Sequence, residues 1–263
     1  MADNKIRFED GAGYERMMGT WSRLAGDIFL DWVAPAPGLR WVDVGCGNGA
    51  FTELLVDRCA PAQVQGIDPS DAQLAFASTR PAARLARFEQ GDAMALPYAD
   101  AAFDAAVMAL AIFFVPEPVR GVVEMVRVVR PGGLVCAYAW DILGGGFPLA
   151  ALQDELRALG STPVLPPSVE SSRMEAMRSL WTAAGLEEVE SREIAVQRTF
   201  DSFEDMWSTS LLGTTIGPRV RAMPAADVAR LQAGLRDRLP ADAAGRITCS
   251  ARANAIKGRK RPA

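Results

Sequence analysis

The chain has 263 residues, with 28 basic and 32 acidic side chains and a formal net charge of −4. This length suits one large domain, or one core with an inserted cap. The negative total argues against non-specific binding to nucleic acid or to anionic lipid. Because there is neither a leader-like segment nor an apolar run of membrane-spanning length, we expect no export and no membrane insertion, and therefore a cytoplasmic protein.

Two helical segments precede the first predicted strand. Apolar residues recur at helical spacing within residues 14–18 and 22–33, and Ser22 is a candidate cap for the second segment. Pro35 ends this pattern because the residue before a proline disfavours the helical conformation. We assign residues 1–36 to a helical segment in front of the main domain.

The first strand and the helix after it are joined by a turn that contains three glycines. Residues 41–50 read W-V-D-V-G-C-G-N-G-A, with glycine at 45, 47 and 49. Glycine lacks a Cβ, so the backbone turns sharply and a ligand approaches it closely. The same residues match the dinucleotide pattern G-x-G-x-x-A, so the glycines alone do not distinguish one nucleotide-like ligand from another.

Asp43 lies two residues before the first of these glycines. A carboxylate at this strand end repels a pyrophosphate and attracts a cationic nucleoside. Short acidic side chains at turns also accept hydrogen bonds from loop amides, which is a purely structural role. Both interpretations of Asp43 remain open at this stage.

Beyond the glycine turn, apolar strands alternate with helices. We predict strands near 40–44, 63–68, 85–89, 103–108 and 132–140, and helices near 50–58, 71–78 and 117–129. Such alternation is typical of a parallel sheet with helices on both faces. Ligands of these sheets bind beyond the carboxyl ends of the strands, and Asp43, Asp68 and Asp92 all fall at those ends.

The last 120 residues combine two further strands with two longer insertions. Residues 142–172 follow the glycine run 144–146, which is either a hinge or a loose loop, and we interpret them as a lid over the substrate. Ser171 or Ser172 is a candidate cap for a helix over residues 173–184. The two strands are predicted near 187–199 and 245–257. A helical cap near 200–244 lies between them and is assigned to substrate recognition. The basic residues 257–261 predict a solvated tail.

Several motifs together resemble those of a known enzyme family. The run D-V-G-C-G-N-G resembles the first motif of the class I S-adenosylmethionine (SAM)-dependent methyltransferases. G-I-D-P-S at 66–70, Q-G-D-A at 90–93, A-F-D-A-A-V-M at 102–108 and V-V-R-P-G-G-L at 128–134 follow in that family's order. The resemblance spans about residues 40–140 and favours the ubiquinone/menaquinone C-methyltransferase-like branch, known as methyltransferase type 11.

The resemblance implies an α/β fold and a division of the chain. The expected fold is Rossmann-like, with a seven-stranded, mostly parallel sheet, helices on both faces and a helical cap. Residues 1–36 would cover the cofactor site, 37–141 would form the SAM-binding core, 142–172 the lid, and 173–263 the remainder of the sheet with its cap.

The resemblance also implies a role for each motif in holding SAM. The glycine turn packs against the methionine and ribose, Asp68 holds the ribose hydroxyls, Asp92 meets the adenine, and Asp43 supports the loop and the positive charge. The implied cofactor-binding residues are Asp43, Gly45, Cys46, Gly47, Gly49, Asp68, Pro69, Ser70, Asp92, Ala93, Met108, Ala109, Tyr14 and Trp21. For Tyr14, Met18 and Trp21 the alternative is that they only anchor the N-terminal helices to the core.

Candidates for a general base are few. The chain has no histidine, which removes the commonest base and metal ligand, and no metal is expected. Asp141 is the candidate base and Tyr138 the second choice, with structural roles open for both. An acceptor that is already nucleophilic needs neither, and methyl transfer then relies on proximity and desolvation.

The acceptor is expected to be a small apolar or amphipathic molecule. Residues 109–116 read A-L-A-I-F-F-V-P and offer no polar group at the place where N-P-P-Y-type enzymes bind an amide or base nitrogen. The expected partner is a small methyl acceptor, with no nucleic acid and no membrane, and the chain is expected to be a monomer or homodimer. Methylation of RNA or protein is an alternative that the net negative charge disfavours. Alternatives are a SAM-binding cyclase or regulatory protein that transfers no methyl group, and an NAD-dependent oxidoreductase.

Overall fold

The fold is built on one continuous β-sheet. The computed structural model describes residue 13, residues 15–213 and residues 216–262, so Tyr14 lies outside the described residues. The described residues form a sheet of seven strands in the order β3-β2-β1-β4-β5-β7-β6. The strands are β1 (Arg40–Val44), β2 (Gln63–Asp68), β3 (Ala86–Gln90), β4 (Phe103–Ala109), β5 (Val129–Trp140), β6 (Leu186–Phe200) and β7 (Ile247–Lys260).

The sheet is mostly parallel. Strands β1 to β5 pair in parallel, whereas β7 runs antiparallel to both of its neighbours, β5 and β6. This is the Rossmann-like architecture that the alternation of strands and helices predicts, and the prediction of the fold class is confirmed.

Helices connect the strands and cover the sheet. They are α1 (Thr20–Val33), α2 (Ala50–Cys59), α3 (Asp71–Ala77), α4 (Pro118–Val128), α5 (Ala150–Ala158), α6 (Met174–Ala183), α7 (Phe203–Ser210), α8 (Ile216–Arg221) and α9 (Ala225–Arg238). A π-helix (Glu15–Gly19) precedes α1, and short 3₁₀ turns lie at Pro81–Arg84, Ile112–Phe114 and Val169–Ser172. None of the helices in the described part of the chain combines the length and hydropathy needed to cross a lipid bilayer.

The central strands are buried because helices lie on both faces of the sheet. In β1 every residue after Arg40 is buried, including the acidic Asp43. Helix α4 buries Val122, Met125 and Val128, which recur at the spacing of one helical face. Near-continuous apolar strands are therefore required here, as in other parallel sheets covered on both sides.

The register of the sheet brings the ends of four strands to one edge. Val44 of β1 pairs with Ile67 of β2, and Asp68 pairs with Gln90 of β3. On the other side of β1, Asp43 pairs with Val107 near the end of β4. The turns that follow β1, β2, β3 and β4 consequently lie beside one another at the carboxyl edge, where this class of sheet binds ligands.

Two predicted helix caps are wrong. Ser22 lies inside α1, which begins at Thr20 after the π-helix and has Gly19 at its N-cap position. Ser171 and Ser172 do not cap α6, because their hydroxyls donate to backbone oxygens three residues earlier, within the preceding 3₁₀ turn. In both cases a short helical segment, the π-helix or the 3₁₀ turn, directly precedes the α-helix, and no side chain caps it.

Two strands are longer than their apolar patterns predict. Strand β5 begins at Val129 rather than at residue 132, and the register with β4 shifts just after this residue. Strand β7 continues to Lys260, whose ammonium group donates to the backbone oxygen of Val129 at 2.8 Å. The basic residues up to 260 therefore belong to the sheet, and the prediction of a solvated tail is wrong for them.

The glycine run after β5 forms a closely packed turn. Gly145 has a φ of +77°, and a Cβ placed on Gly146 would lie 2.6 Å from the backbone oxygen of Arg252 in β7. The amide of Gly146 also donates to the backbone oxygen of Asp141 at 2.7 Å. Gly146 is therefore packed and hydrogen-bonded beside β7, which disfavours a loose loop, and the hinge interpretation of 144–146 stays a prediction.

Candidate functional site

The glycine turn after β1 is held against β2 by backbone hydrogen bonds. The amides of Gly45 and Cys46 both donate to the backbone oxygen of Ile67, at 2.8 and 3.1 Å. Gly45 and Gly49 have φ values of +75° and +76°, and a Cβ on Gly45 would lie 2.5 Å from the Cβ of Ala111. Glycine is required at these positions by backbone conformation and by close packing.

Gly47 differs from its two neighbours because the space beside it is open. Its φ is +52°, and a Cβ at this position would meet no atom within 4 Å. Its amide donates to the Oδ2 atom of Asp68 at 2.9 Å. The turn therefore exposes a Cβ-free stretch of backbone next to a carboxylate, which is the geometry needed for close approach of a ligand.

Asp68 connects the glycine turn to the start of α3. Its Oδ1 atom accepts a hydrogen bond from the amide of Ser70 at 2.9 Å, and the Ser70 hydroxyl in turn accepts one from the amide of Gln73 at the first turn of α3. Burial raises the pKa of the Asp68 carboxyl, although its two backbone hydrogen bonds act in the opposite direction. Pro69 lies between Asp68 and Ser70, and its backbone oxygen accepts a hydrogen bond from the Gln90 side chain at 3.1 Å.

Asp43 is fully buried beneath the turn. Its Oδ2 atom accepts a hydrogen bond from the Thr52 hydroxyl of α2 at 2.6 Å, and its Oδ1 atom has no hydrogen-bond partner among the described residues. Burial raises the pKa of this carboxyl to about 7, the Thr52 hydrogen bond opposes that rise, and the Asp68 charge adds to it. The loop-amide role considered for Asp43 is filled by Asp68.

Thr52 was not among the predicted site residues. It lies nine positions after Asp43, in the first turn of α2, and the sharp glycine turn brings its hydroxyl back over β1. In a strand–turn–helix unit, a hydroxyl residue nine positions after a buried acid is the sequence signal that identifies Thr52.

Cys46 lies inside the glycine turn and packs toward β2. A Cβ on Gly66 would lie 3.0 Å from its Sγ atom. Burial, followed by the nearby Asp43 and Asp68 charges, raises the pKa of the Cys46 thiol well above its usual range. The side chain is therefore a neutral thiol that fills space under the turn, and only its backbone faces a ligand in the predicted role.

Asp92 and Ala93 follow β3 at the same edge of the sheet. Asp92 is exposed, and its Oδ1 atom accepts a hydrogen bond from the amide of Met94 at 2.8 Å in a tight turn. Its pairing with Ala95 is an isolated bridge. Asp92 is thus presented to solvent beyond the strand end, beside the turn that carries Asp68.

The end of β4 supplies Met108 and Ala109. Met108 is fully buried and its side chain reaches α4, where a Cβ on Gly121 would lie 3.7 Å from its Cε atom. Ala109 is half-buried and is followed by Leu110, which has a φ of +57°. Of this pair, Ala109 lies nearer the open edge, whereas Met108 supports the edge from within the core.

The N-terminal helices pack closely on the core. Met18 and Trp21 are 4% and 1% exposed. Glu15 of the π-helix accepts a hydrogen bond from the Asn48 side chain of the glycine turn at 3.0 Å. The π-helix therefore docks directly on the turn, while Met18 and Trp21 occupy the core that anchors it.

Arg80 joins three parts of this region and was missed by sequence reasoning. It donates to the backbone oxygen of Asn48 at 2.6 Å, to Glu53 of α2 at 2.8 Å and to Glu15 of the π-helix at 2.5 Å. Its side chain is 10% exposed. No local pattern identifies it, because Arg80 follows a short helix and its partners are distant in sequence.

The two candidate bases are engaged elsewhere. The Oδ2 atom of Asp141 accepts a hydrogen bond from Arg252 at 2.6 Å, and its Oδ1 atom accepts one from the amide of Gly144 at 3.1 Å. Tyr138 is fully buried, with its ring 4.7 Å from that of Phe29 and its hydroxyl 3.4 Å from the backbone oxygen of Ser22. These contacts favour the structural alternative for each residue, and the catalytic role of Asp141 stays a prediction.

The arrangement fits a cationic nucleoside better than a pyrophosphate. Two acidic side chains, Asp43 and Asp68, lie next to the Cβ-free turn, and no described lysine or arginine forms an ion pair with either of them. The unpartnered oxygen of Asp43 and the open space at Gly47 suit a positively charged ligand that carries hydroxyl donors. A negatively charged pyrophosphate would meet like charge here.

Comparison with known proteins identifies a methyltransferase family. Residues 42–137 match the model of a methyltransferase domain. The chain is 37% identical over 108 residues to a demethylmenaquinone methyltransferase of Desulfitobacterium hafniense, an alignment that covers 39% of this chain and 43% of that protein. It is 30% identical over 200 residues to the ubiquinone/menaquinone biosynthesis C-methyltransferase UbiE of Dinoroseobacter shibae, which covers 68% of this chain and 78% of that protein.

A solved structure shares the fold. The YcgJ protein of Bacillus subtilis superposes with a TM-score of 0.62 at 18% identity, over 91% of this chain and 99% of that one. The sheet order, the glycine turn and the relatives agree with one another. The chain therefore belongs to the class I SAM-dependent methyltransferases, in the ubiquinone/menaquinone C-methyltransferase-like branch, and its cofactor is SAM.

Proposed function

We propose that the chain transfers the methyl group of SAM to a small amphipathic acceptor with a reduced quinone ring. The observation that carries this proposal is the adjacency, at one edge of the sheet, of the acidic glycine turn and an apolar segment after β4. Two relatives are named for demethylmenaquinone and for ubiquinone or menaquinone, whose acceptors carry such rings. Their names support the class of acceptor and not one compound.

The segment after β4 supplies the apolar wall of the proposed acceptor site. Ala111, Ile112 and Phe113 are buried, Phe114 is half-buried, and the two phenylalanine rings meet edge to face with centroids 4.7 Å apart. Leu110 is held in its left-handed conformation by a 2.8 Å hydrogen bond from its amide to the backbone oxygen of Tyr138. An aromatic ring with an apolar substituent suits this wall better than a polar amide or base does.

The residues around the glycine turn are assigned to binding SAM. Asp68 accepts hydrogen bonds from the ribose hydroxyls, the backbone of 45–49 packs against the methionine, and Asp92 with Ala93 meets the adenine. Asp43 offsets positive charge from beneath the turn. The bound cofactor supplies an electrophilic methyl group on its sulfonium, so the chain has only to align the acceptor and exclude water.

The proposed reaction does not depend on a strong base. Asp141 is held by Arg252 and Gly144, and the described chain contributes no histidine to any site. A reduced quinone ring with one ionised hydroxyl is itself nucleophilic at the adjacent carbon. A carbon–carbon bond forms to the methyl group as its carbon–sulfur bond breaks, and the ring then loses a proton to water.

The test is a product assay with the purified chain, SAM and a reduced, short-chain demethylmenaquinol. We expect S-adenosylhomocysteine (SAH) and a ring product with one additional methyl group, in equal amounts. Methylthioadenosine, or a rearranged acceptor without the added methyl group, would instead support a SAM-dependent cyclase. Asp141→Asn is expected to retain turnover, and a collapse of turnover with normal SAM binding would restore Asp141 as the base.

A further inference from the structure

Asp43 is a buried carboxylate that the hydrogen bonding of the protein leaves half satisfied. It is 0% exposed, and only its Oδ2 atom has a partner, the Thr52 hydroxyl at 2.6 Å. The Oδ1 atom is buried and has no hydrogen-bond partner among the described residues. An uncompensated buried anion is costly, so such a group either holds a proton or awaits a positively charged ligand.

The groups around Asp43 do not supply that positive charge. Asp68 faces it from β2, Cys46 from the glycine turn, Cys136 from β5 and Thr52 from α2. Burial raises the pKa of both thiols, so they are neutral, and Asp68 is itself acidic. Among the described residues, the surroundings of Asp43 therefore contain two carboxyl groups, Asp43 and Asp68, and no lysine or arginine forms an ion pair with either.

Asp68 is better satisfied than Asp43. Its two oxygens accept from the amides of Gly47 and Ser70, both at 2.9 Å, which favours its ionised form. When only one of the two acids is protonated, the proton therefore resides mainly on Asp43. Burial raises the pKa of Asp43 to about 7, with the charge of Asp68 contributing, and this agrees with the geometry.

SAM and its product SAH differ in charge at the sulfur atom. SAM carries a sulfonium, an ammonium and a carboxylate and has a net charge of +1, whereas SAH has lost the sulfonium and is neutral. We propose that Asp43, beside ionised Asp68, exchanges its proton for the sulfonium charge, so that SAM binds with release of a proton and SAH does not. This inference rests on the proposed placement of SAM over the glycine turn.

The exchange gives the enzyme a means of distinguishing cofactor from product. Methyl transfer removes the sulfonium charge while Asp43 is ionised, which leaves a buried anion pair without compensation. The pair then takes back one proton from water, and the product is held without the charge interaction. The proton balances, because each cycle releases one proton from the site on SAM binding and returns one after transfer.

Isothermal titration calorimetry of the full chain at pH 6.0 tests the exchange. Titrations of SAM and of SAH in two buffers of different ionisation enthalpy give the number of protons released by each ligand. At this pH the ammonium and carboxylate groups of both ligands keep fixed charges. A group with a pKa near 7 is protonated in about nine-tenths of molecules at pH 6, so we expect release of about 0.9 proton with SAM and almost none with SAH.

The same exchange predicts how affinity varies with pH. SAM binding requires ionised Asp43, so its dissociation constant should fall about eightfold between pH 5.5 and 6.5, whereas that of SAH should stay nearly constant. Asp43→Asn should bind SAM with no proton release and no such pH dependence. The control Asp57→Asn changes an exposed acid on α2 and should behave as the wild type.

A second variant keeps the test valid if Asp43→Asn fails to fold. Thr52→Val is nearly isosteric and removes the hydroxyl that favours ionised Asp43, so the pH dependence of SAM binding should move to higher pH. Equal proton release by SAM and SAH, with methyl transfer intact, would overturn the exchange and leave the methyltransferase assignment standing. Release of a proton by SAM alone, abolished in Asp43→Asn, would establish it.

Discussion

Gly47 is the residue at which the glycine turn is open to a ligand. Its backbone is left-handed, with a φ of +52°, and the space where a Cβ would lie is empty to 4 Å. Gly38, in the turn before β1 at the opposite edge of the sheet, has a φ of +77° and is equally unobstructed. Both glycines therefore adopt a left-handed backbone conformation, but only Gly47 lies next to the proposed cofactor site.

Gly47→Ala should separate the backbone cost from the binding cost. The left-handed conformation costs an alanine about 1 kcal/mol, so Gly47→Ala and Gly38→Ala should lose similar unfolding free energy in urea. Only Gly47→Ala should weaken SAH binding, by about tenfold or more, because its methyl group occupies the approach to the turn. Equal SAH affinity in the two variants, measured by calorimetry, would contradict the proposed site.

Asp68→Ala should weaken SAM binding about tenfold to a hundredfold. The proposed hydrogen bonds between its carboxylate and the ribose are charge-assisted and worth roughly 1.5–3 kcal/mol. Asp104→Asn is the control, since Asp104 bonds Arg40 and Arg130 at the other end of β4 and should leave SAM affinity unchanged. Calorimetry that finds wild-type SAM affinity in Asp68→Ala would remove this residue from the site.

The residues that the sequence identifies are those whose chemistry lies within one short motif. Asp43 and Asp68 lie at the ends of β1 and β2, and the glycines follow β1, so strand and turn together indicate their place. Arg80 gives no such signal, because its partner Glu15 is 65 positions away. The ion pair of Asp141 with Arg252, 111 positions apart, is hidden in the same way.

Among the elements, the π-helix Glu15–Gly19 is attached to the cofactor turn by few contacts. Arg80 and Asn48 both hold Glu15, and Arg198 of β6 donates to the backbone oxygens of Arg16 and Met17 at 3.1 and 3.0 Å. Short π-helical segments are often found at functional sites. The π-helix thus contacts both the glycine turn and the edge strand β6, and its position depends on both sets of contacts.

Arg80→Met should loosen the π-helix and shorten the residence time of SAH. The variant leaves Glu15 and Glu53 without their shared cation, which should cost about 2 kcal/mol of stability and speed SAH dissociation severalfold in stopped-flow measurements. Arg58→Met is the control, because Arg58 pairs with Asp27 and Asp31 on the exposed side of α1. A dissociation rate equal to that of Arg58→Met would show that the π-helix does not retain the ligand.

Element boundaries follow from the sequence where periodicity decides them and fail where tertiary contacts do. Strands β1, β2 and β4 begin where their apolar patterns begin. The start of α1 was missed because the π-helix passes directly into it, and Ser22 never reaches an N-terminal position. The close packing of Gly146 depends on its contact with Arg252, which the chain order does not reveal.

At the scale of the whole molecule, the buried acid makes stability depend on pH. The ordinary pKa of Asp43 is 3.8, and burial raises it to about 7 in the folded state. Between these values the folded state retains a proton that the unfolded state has released. The stabilisation from protonated Asp43 is therefore present at pH 4 and is lost as the pH rises toward 7.

Without SAM, Asp43→Asn should gain stability relative to the wild type as the pH rises. The difference in unfolding free energy should move in favour of the variant by about 3 kcal/mol between pH 4 and pH 7, because asparagine does not titrate. Urea denaturation at both pH values measures it, and the carboxyl groups that do not interact with Asp43 cancel between the two proteins. A difference that stays constant with pH would mean that Asp43 is ionised and compensated in the folded state.

The overall topology was predictable because strands and helices alternate regularly along residues 40–140. The acceptor was not, because the sequences of α7, α8 and α9, which we assign to the cap, carry amphipathic patterns without motifs. The proposed acceptor class rests on two relatives named for quinones and on the apolar segment after β4.

A crystal structure of the complex with SAH tests the central claim most directly. We predict that the ribose hydroxyls lie within hydrogen-bonding distance of Asp68, that the methionine lies against the 45–49 turn above Asp43, and that the adenine lies beside Asp92. A ligand bound away from the carboxyl ends of β1 and β2, or turned so that its sulfur points away from the segment after β4, would contradict the account.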